Sequence, residues 1–582
     1  MSFHLLVVYL ILAGILWILA HSLLMAKPIT GIPHNTFTRY MPWGDLIKLG
    51  IHNWTTGGVF DWFSLQCLNH KSPVVQVFIP SFSTTRPTLV LADLSEIEDV
   101  VTKRIGEIDR ADAMHMWFGL VAPRATIGLK SRNPAFKEQR RLWNLILSPK
   151  FLQEVAAERF YEVSVKLARL WQRKSEIAGS NLAFEALLDV KMATLDGIWK
   201  MNVGSELELL DNKLNRLEEP GPVRKEKKEY VEFAEVELPQ FYTTLGSLLM
   251  CLDWVMQGIS PRLYTWFFVS TGILERAMEK KNQTLDHCIT TSRRRIQLNQ
   301  NGGQDETACT LDQLFWKEES SRSSGKTEGD ATSNAALRDE LLELLITGHE
   351  TTASSIAWAL KYLTSNPEAQ AQLRASLYEA FPSASPSRLP SAKEIYTTSI
   401  PYLEATVAET LRLSMTGPVS FRQTIAPCDI LGHAVPTGTP IVLVTAGPSY
   451  TSPDMPLTPE YLRSPTSQAT QLRKATRRPR SPLYGSDFHV FDPSRWIQDG
   501  VFDPDAVHML PFSAGPRGCF GKKVAMLELK IMLAVLMMRF EFPQLTKSLS
   551  RYGAVDGLTR RPTTCYVRPQ AIAEMVRDEK RP

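Results

Sequence analysis

The chain has 582 residues, 44% of them hydrophobic and 22% charged, the composition of a globular protein. Its formal net charge of +4 is too small for a nucleic-acid binder. Seven cysteines without a C-x-x-C pair argue against a zinc cage or disulfide framework and fit a reducing compartment.

At the amino terminus, Leu5 to Met25 carries no formal charge, and about 20 apolar residues suffice for a helix to cross a bilayer. A signal peptide has a basic start and a core of about 7–15 apolar residues, and this segment has neither, so an uncleaved anchor is expected over residues 1–26. Lys27, Arg39 and Lys48 follow it and none precedes it, which places the bulk of the chain in the cytosol. The sequons at Asn53 and Asn282 are then never glycosylated.

Past a connector (27–45), "VVQVFIP" and "PTLVLAD" read as strands bounded by prolines. Phe136 to about Trp171 reads as helical, and Leu238 to Ile273 is apolar and aromatic enough for core or a membrane-facing flap. Two polar stretches read as surface loops. One, within 300–335, contains "KEESSRSSGKTEGDATSN"; the other, Thr458 to Ser486, contains the basic run "RKATRRPRSP", a solvated face or a dock for an acidic partner. Between them lie long helical patterns, "ALRDELLELLITGHETTASSIAWALKYL" and "IPYLEATVAETLRL". A hairpin-like stretch follows, punctuated by Pro436 and Gly438.

"PFSAGPRGCFGKKVAMLELK", from Pro511 to Lys530, is the most informative stretch. A phosphate loop needs four residues between its glycines and a hydroxyl after the lysine; here five separate Gly515 from Gly521, and Lys523 follows Lys522. A buried structural thiol needs no glycines around it. Three glycines in seven residues suit sharp bending or close approach to a flat ligand. A thiol just before a helix start also faces unpaired N–H donors, which favour thiolate and axial binding of a soft metal.

Phe512-x-x-Gly515-x-Arg517-x-Cys519-x-Gly521 resembles the haem-binding loop of the cytochrome P-450 family. The resemblance implies that Cys519 is the axial thiolate ligand of haem iron. It implies that Phe512 packs near the sulfur, that Arg517 contacts a propionate and that Gly521 lets the helix approach the porphyrin. Glu409-x-x-Arg412 matches the family's ExxR pair, and Arg495 in "FDPSRW" would complete an ionic cluster that locks the core. "TGHETT", Thr347 to Thr352, resembles the oxygen-activation motif: Gly348 would leave room for dioxygen, and Glu350 and Thr351 would deliver protons. HExxH is excluded, because residue 353 is Ala. Two departures stand out, Thr347 in place of a small residue and Phe136 in place of the usual Trp of W-x-x-x-R. Arg140 fits that motif's arginine, and Arg422 stands where a further propionate contact is common.

The resemblance implies a mainly α fold with a smaller β region, one haem domain over 46–570, and a tail at 571–582. It implies a microsomal monooxygenase of the endoplasmic reticulum, acting with dioxygen and electrons from an NADPH-dependent flavoprotein reductase. Lys522, Lys523 and the basic insertion are candidate docking charges. Met114, Met116, Trp117 and Phe118 point to a bulky lipophilic substrate, with fungal secondary metabolism as the expected setting. The alternatives are a haem-thiolate isomerase or dehydratase that does not use dioxygen, and a non-catalytic, membrane-tethered haem-binding protein.

Overall fold

The computed structural model describes residues 26–80, 82, 86–179, 181–219, 224–257, 261–298, 309–323, 334–447, 458–475 and 485–572. The expected anchor, Leu5 to Met25, lies outside them, and no helix among the described residues is long and apolar enough to cross a membrane.

The fold is mainly helical with a smaller β region. The helices that matter for the site begin with α1 (Leu46–Thr56), α2 (Leu94–Thr102), α3 (Asp112–Phe118), α4 (Pro134–Trp143), α5 (Ala157–Ala178) and α6 (Leu187–Val203). They continue with α7 (Gln240–Gln257), α8 (Pro261–Ser270), α9 (Thr310–Ser323), α10 (Asn334–Ser365), α11 (Pro401–Ser414), α12 (Pro465–Ala475) and α13 (Lys522–Arg539). The 32-residue α10 is buried nearly all round from Ala353 to Thr364, as a helix must be when it runs through the middle of a domain. It lies along α6, with α11 and α13 also packed against it.

A five-stranded sheet has the order β1 (Val74–Val77), β2 (Thr88–Leu91), β5 (Pro440–Val444), β4 (Val419–Thr424), β3 (Ile108–Arg110). β1 and β2 carry buried residues throughout, because both faces are covered. The edge register matters most: β3 runs antiparallel to β4 with Arg110 opposite Arg422.

Several sequence expectations change. The pattern from Phe136 to Trp171 breaks after α4, because Ser148 caps a fresh turn that begins with Pro149, which has no N–H to continue the ladder. The loop expected from Lys317 is helical as far as Ser323, and the insertion carries α12, opened by Pro465. Residues 324–333 and 476–484, with most of the basic run, lie outside the described residues. The turn flagged by Pro436 and Gly438 forms at Thr437–Gly438, with Gly438 left-handed (φ 83°), and a second, tighter one joins Ile430 to His433, where Leu431 (φ 50°) and Gly432 (φ 81°) are both left-handed.

One buried cluster ties α11 to the segment before the cysteine loop. Arg412 donates to both carboxylate oxygens of Glu409, at 2.8 and 2.7 Å. Arg495 Nε, Trp496 Nε1 and the Asp492 amide donate to the same carboxylate at 3.0, 2.9 and 3.0 Å. Arg412 also reaches the carbonyls of Phe488 and Val490. Glu409 and Arg412 are both 0% exposed, so this is not a surface pair, and neither charge can be left without the other. Glu409→Ala is expected to cost about 3–5 kcal/mol, because it strands a buried guanidinium. Urea unfolding would show this as a lower midpoint, and an unchanged midpoint would contradict the locking role.

Candidate functional site

The cysteine loop is shaped by backbone. Ser513 (φ 53°) and Gly515 (φ 68°) are left-handed, and the Cys519 amide donates to the Phe512 carbonyl at 2.8 Å, closing the loop just before α13. A Cβ on Gly515 would stand 2.1 Å from the Val101 carbonyl oxygen of α2, so only glycine fits between loop and helix. A Cβ on Gly521 would meet nothing within 4 Å, so no protein contact requires that glycine. Cys519 alone of the seven cysteines is exposed, although protein surrounds it on most sides. Burial pushes its thiol up, against the amides of Gly521 and Lys522 and the Arg140 guanidinium, which pull it down. Phe512 is half-buried against the main core, and Lys522 and Lys523 are exposed at the start of α13.

Four guanidiniums converge beside this loop. Arg422 is buried, and among the described residues its hydrogen bond is to its neighbour's carbonyl, Phe421 O, at 3.0 Å. Burial, then repulsion from Arg110 and Arg517, pushes it down to about 9. Arg110 is held opposite it by the strand register, and its buried Nε has no hydrogen-bond partner among the described residues. Arg140 donates to the Gly518 carbonyl at 3.3–3.4 Å. Arg517 stacks on the Phe136 ring at 3.9 Å and donates to Ser131 Oγ (2.8 Å) and to the carbonyls of Thr126 (3.1 Å) and Leu129. Its donors thus engage the segment between α3 and α4. Burial, followed by repulsion from Arg110 among other charges, lowers it to about 9.

Against these four cations stand Asp109, 3.9 Å from Arg517 Nε, and Glu343, which burial pushes up toward its neutral form. With Glu343 pushed toward neutrality, the four guanidiniums outnumber the negative charges that face them, an excess that the two propionates of a haem would offset. The donor set therefore fits haem: a thiol that can ligate iron, flanked by buried and underpaired guanidiniums. Arg110 is the member that sequence reasoning missed; only its pairing with Arg422 reveals it.

On α10, Thr351 Oγ1 donates to the Thr347 carbonyl at 2.7 Å. Glu350 receives Lys191 of α6 at 2.8 Å and lies 3.4 Å from His349 Nε2. Burial works to raise the Glu350 carboxyl, but His349 and Lys191 override it and hold it well below the usual carboxylate range. A cavity of about 320 Å³, lined by Lys191, Tyr242, Asp253, His349 and Arg561 among others, reaches Glu350 from the α7 side. Lys191 and His349 were not singled out in the sequence; the adjacency of "HE" was a signal for the second.

A Cβ on Gly348 would come within 3.0 Å of Ile198 Cδ1, so the smallness of this residue serves the packing of α10 on α6. Met114, Trp117 and Phe118 pack with Leu252 and Val255 of α7 into a core cluster, and Met116 is 37% exposed.

The cytochrome P-450 family model matches residues 66–450 and 483–567. Cytochrome P-450 monooxygenase TRI13 of Fusarium sporotrichioides is 27% identical, with 93% of this chain and 95% of that protein covered. Cytochrome P-450 monooxygenase xilC of Penicillium rubens is 29% identical, with 91% and 90% covered. The crystal structure of the cytochrome P-450DA haem domain superposes with a TM-score of 0.66 at 17% identity, covering 94% of this chain and 99% of that one, a likeness of fold. With the family model spanning most of its length, this chain belongs to the cytochrome P-450 family.

Proposed function

We propose that the protein is a haem-thiolate monooxygenase that inserts one atom of dioxygen into a lipophilic small molecule of secondary metabolism, with two electrons supplied through a flavoprotein reductase. The observation that carries the reading is the pairing of an accessible cysteine with four crowded guanidiniums, in a chain whose relatives are named monooxygenases. When bound, haem supplies the activation of dioxygen. Cys519 would ligate its iron, and Arg110, Arg140, Arg422 and Arg517 would neutralise its propionates, with Arg517 also fixing the 126–131 segment.

Splitting dioxygen into one inserted atom and one water consumes two protons. Thr351, hydrogen-bonded to Thr347, and Glu350, kept ionised by Lys191 and His349, would carry them from the cavity on the α7 side. An isomerase that does not use dioxygen has no need of this relay, which favours the oxygenase.

Apolar side chains exposed on one side support membrane association. Trp54 (87%) of α1 and Trp254 (51%) of α7 belong to elements that flank the 554–562 hairpin, where Gly57 approaches the Ala554 carbonyl and the Leu558 amide donates to Asp253 of α7; Trp266 (65%) lies on α8, which packs on α7. This side would lie against the endoplasmic reticulum, continuous with the anchor expected at Leu5 to Met25. The fungal relatives support the setting in secondary metabolism.

Three measurements test the reading. The reduced, carbon-monoxide-bound protein is expected to show the strongly red-shifted Soret band of thiolate ligation, and Cys519→Ala to lose it; a parent band at the imidazole position would refute Cys519 as ligand. Thr351→Ala should divert most reducing equivalents to peroxide or water, so product per NADPH oxidised drops several-fold; unchanged coupling would remove Thr351 from the relay. Without the Lys191 cation, burial of Glu350 is less opposed and its carboxyl protonates at higher pH. Lys191→Met should therefore move the acid limb of the coupling–pH profile upward, and an unshifted limb would show that Glu350 does not govern it.

A further inference from the structure

The family model passes over residues 451–482, yet the described part of that interval is firmly docked. Arg463, 8% exposed, donates to both oxygens of Asp93 at 2.8 and 2.6 Å, and Thr458 reaches the same carboxylate at 3.1 Å. Ser464 and Thr466 each donate to Asp99 Oδ2 at 2.8 Å. Asp93 is also the N-cap of α2, accepting the Glu96 amide at 2.8 Å. One carboxylate thus both starts the helix and holds the insertion.

The other side of α2 carries the cysteine loop. Ile97, Val100 and Val101 pack with Leu510 and Ala514, and Leu94 with Met509 and Leu510. Glu98 meets His508 at 2.8 Å, and the Val101 carbonyl occupies the space that a side chain at Gly515 would need. α2 has nine residues, too few to be stable without its packing. Its acid stripe, Asp93, Glu96 and Asp99 at i, i+3 spacing, faces the insertion; its apolar stripe faces the loop that bears Cys519.

We propose that segment 458–475 is a buttress: by clasping α2 it fixes that helix against the cysteine loop and so sets the position of the Cys519 sulfur, with Arg463 as a positioning residue. The functional consequence rests on the reading of Cys519 as the haem ligand.

The test uses the full-length, haem-loaded protein and three variants: Arg463→Ala, Arg463→Lys, and the uncharged double change Ser464→Ala with Thr466→Val. Amide hydrogen exchange at 512–521 is followed beside the rate at which the thiolate Soret band of the reduced carbon-monoxide complex is lost in mild urea. Arg463→Ala should quicken exchange at 512–521 by roughly tenfold, since a buried bidentate pair is lost, with α10 unaffected. The thiolate band should decay faster to match, Arg463→Lys should recover part of both effects, and the double change should give a smaller effect of the same pattern. Unchanged exchange at 512–521 in both Arg463→Ala and the double variant would overturn the buttress. So would exchange that rises equally in α10, which marks general loosening. If the parent lacks a thiolate band, the ligand reading fails, while the exchange data still decide whether the insertion holds the loop.

Discussion

Charge crowding governs this interior. Arg110 and Arg422 face each other across two paired strands, an arrangement that repels, and Arg140 and Arg517 add two more guanidiniums with too few carboxylates to balance them. Such a cluster persists because stiff elements on every side hold it: the β3–β4 ladder, α4 with its Asn133 cap, and the bent loop before α13. The apoprotein is thereby biased to accept an anionic, flat partner, and part of the partner's binding free energy is repulsion already stored in the site.

The Glu409 cluster plays the complementary role. There the charges are fully paired and completely enclosed, so the cluster rigidifies and does not recruit. Cations in excess of their counter-charges on one side and saturated ones on the other divide the molecule into a place that binds and a place that holds.

Motifs with fixed local spacing were legible in the sequence. The cysteine loop, the Glu409–Arg412 pair at i, i+3 and the Glu350–Thr351 dipeptide each need only a few consecutive residues to be read, and the structure places them on adjoining elements. Features set by register or by helix packing were not legible. Arg110 gains its meaning from standing opposite Arg422, Lys191 from lying on a helix beside α10, and Gly348 from which side of that helix it faces. Local chemistry showed one turn of two: Pro436 and Gly438 flag a turn that does form, whereas the tight one at Leu431–Gly432 depends on the pairing of the strands on either side of it. The helix in the insertion was hidden by a polar composition that reads as loop, because its order comes from Asp93 and Asp99 far upstream.

The segment between α3 and α4 is held from both directions. Asp339, Glu340 and Glu343 of α10 accept the amides of Arg124, Thr126 and Ile127 at 3.0, 2.7 and 2.9 Å, while Arg517 takes the carbonyls of Thr126 and Leu129. Its polar backbone is satisfied almost as fully as that of a strand inside a sheet. Opening it would break hydrogen bonds on two sides at once, so this stretch is a brace between α10 and the cysteine loop, and strain at either one is passed to the other through it.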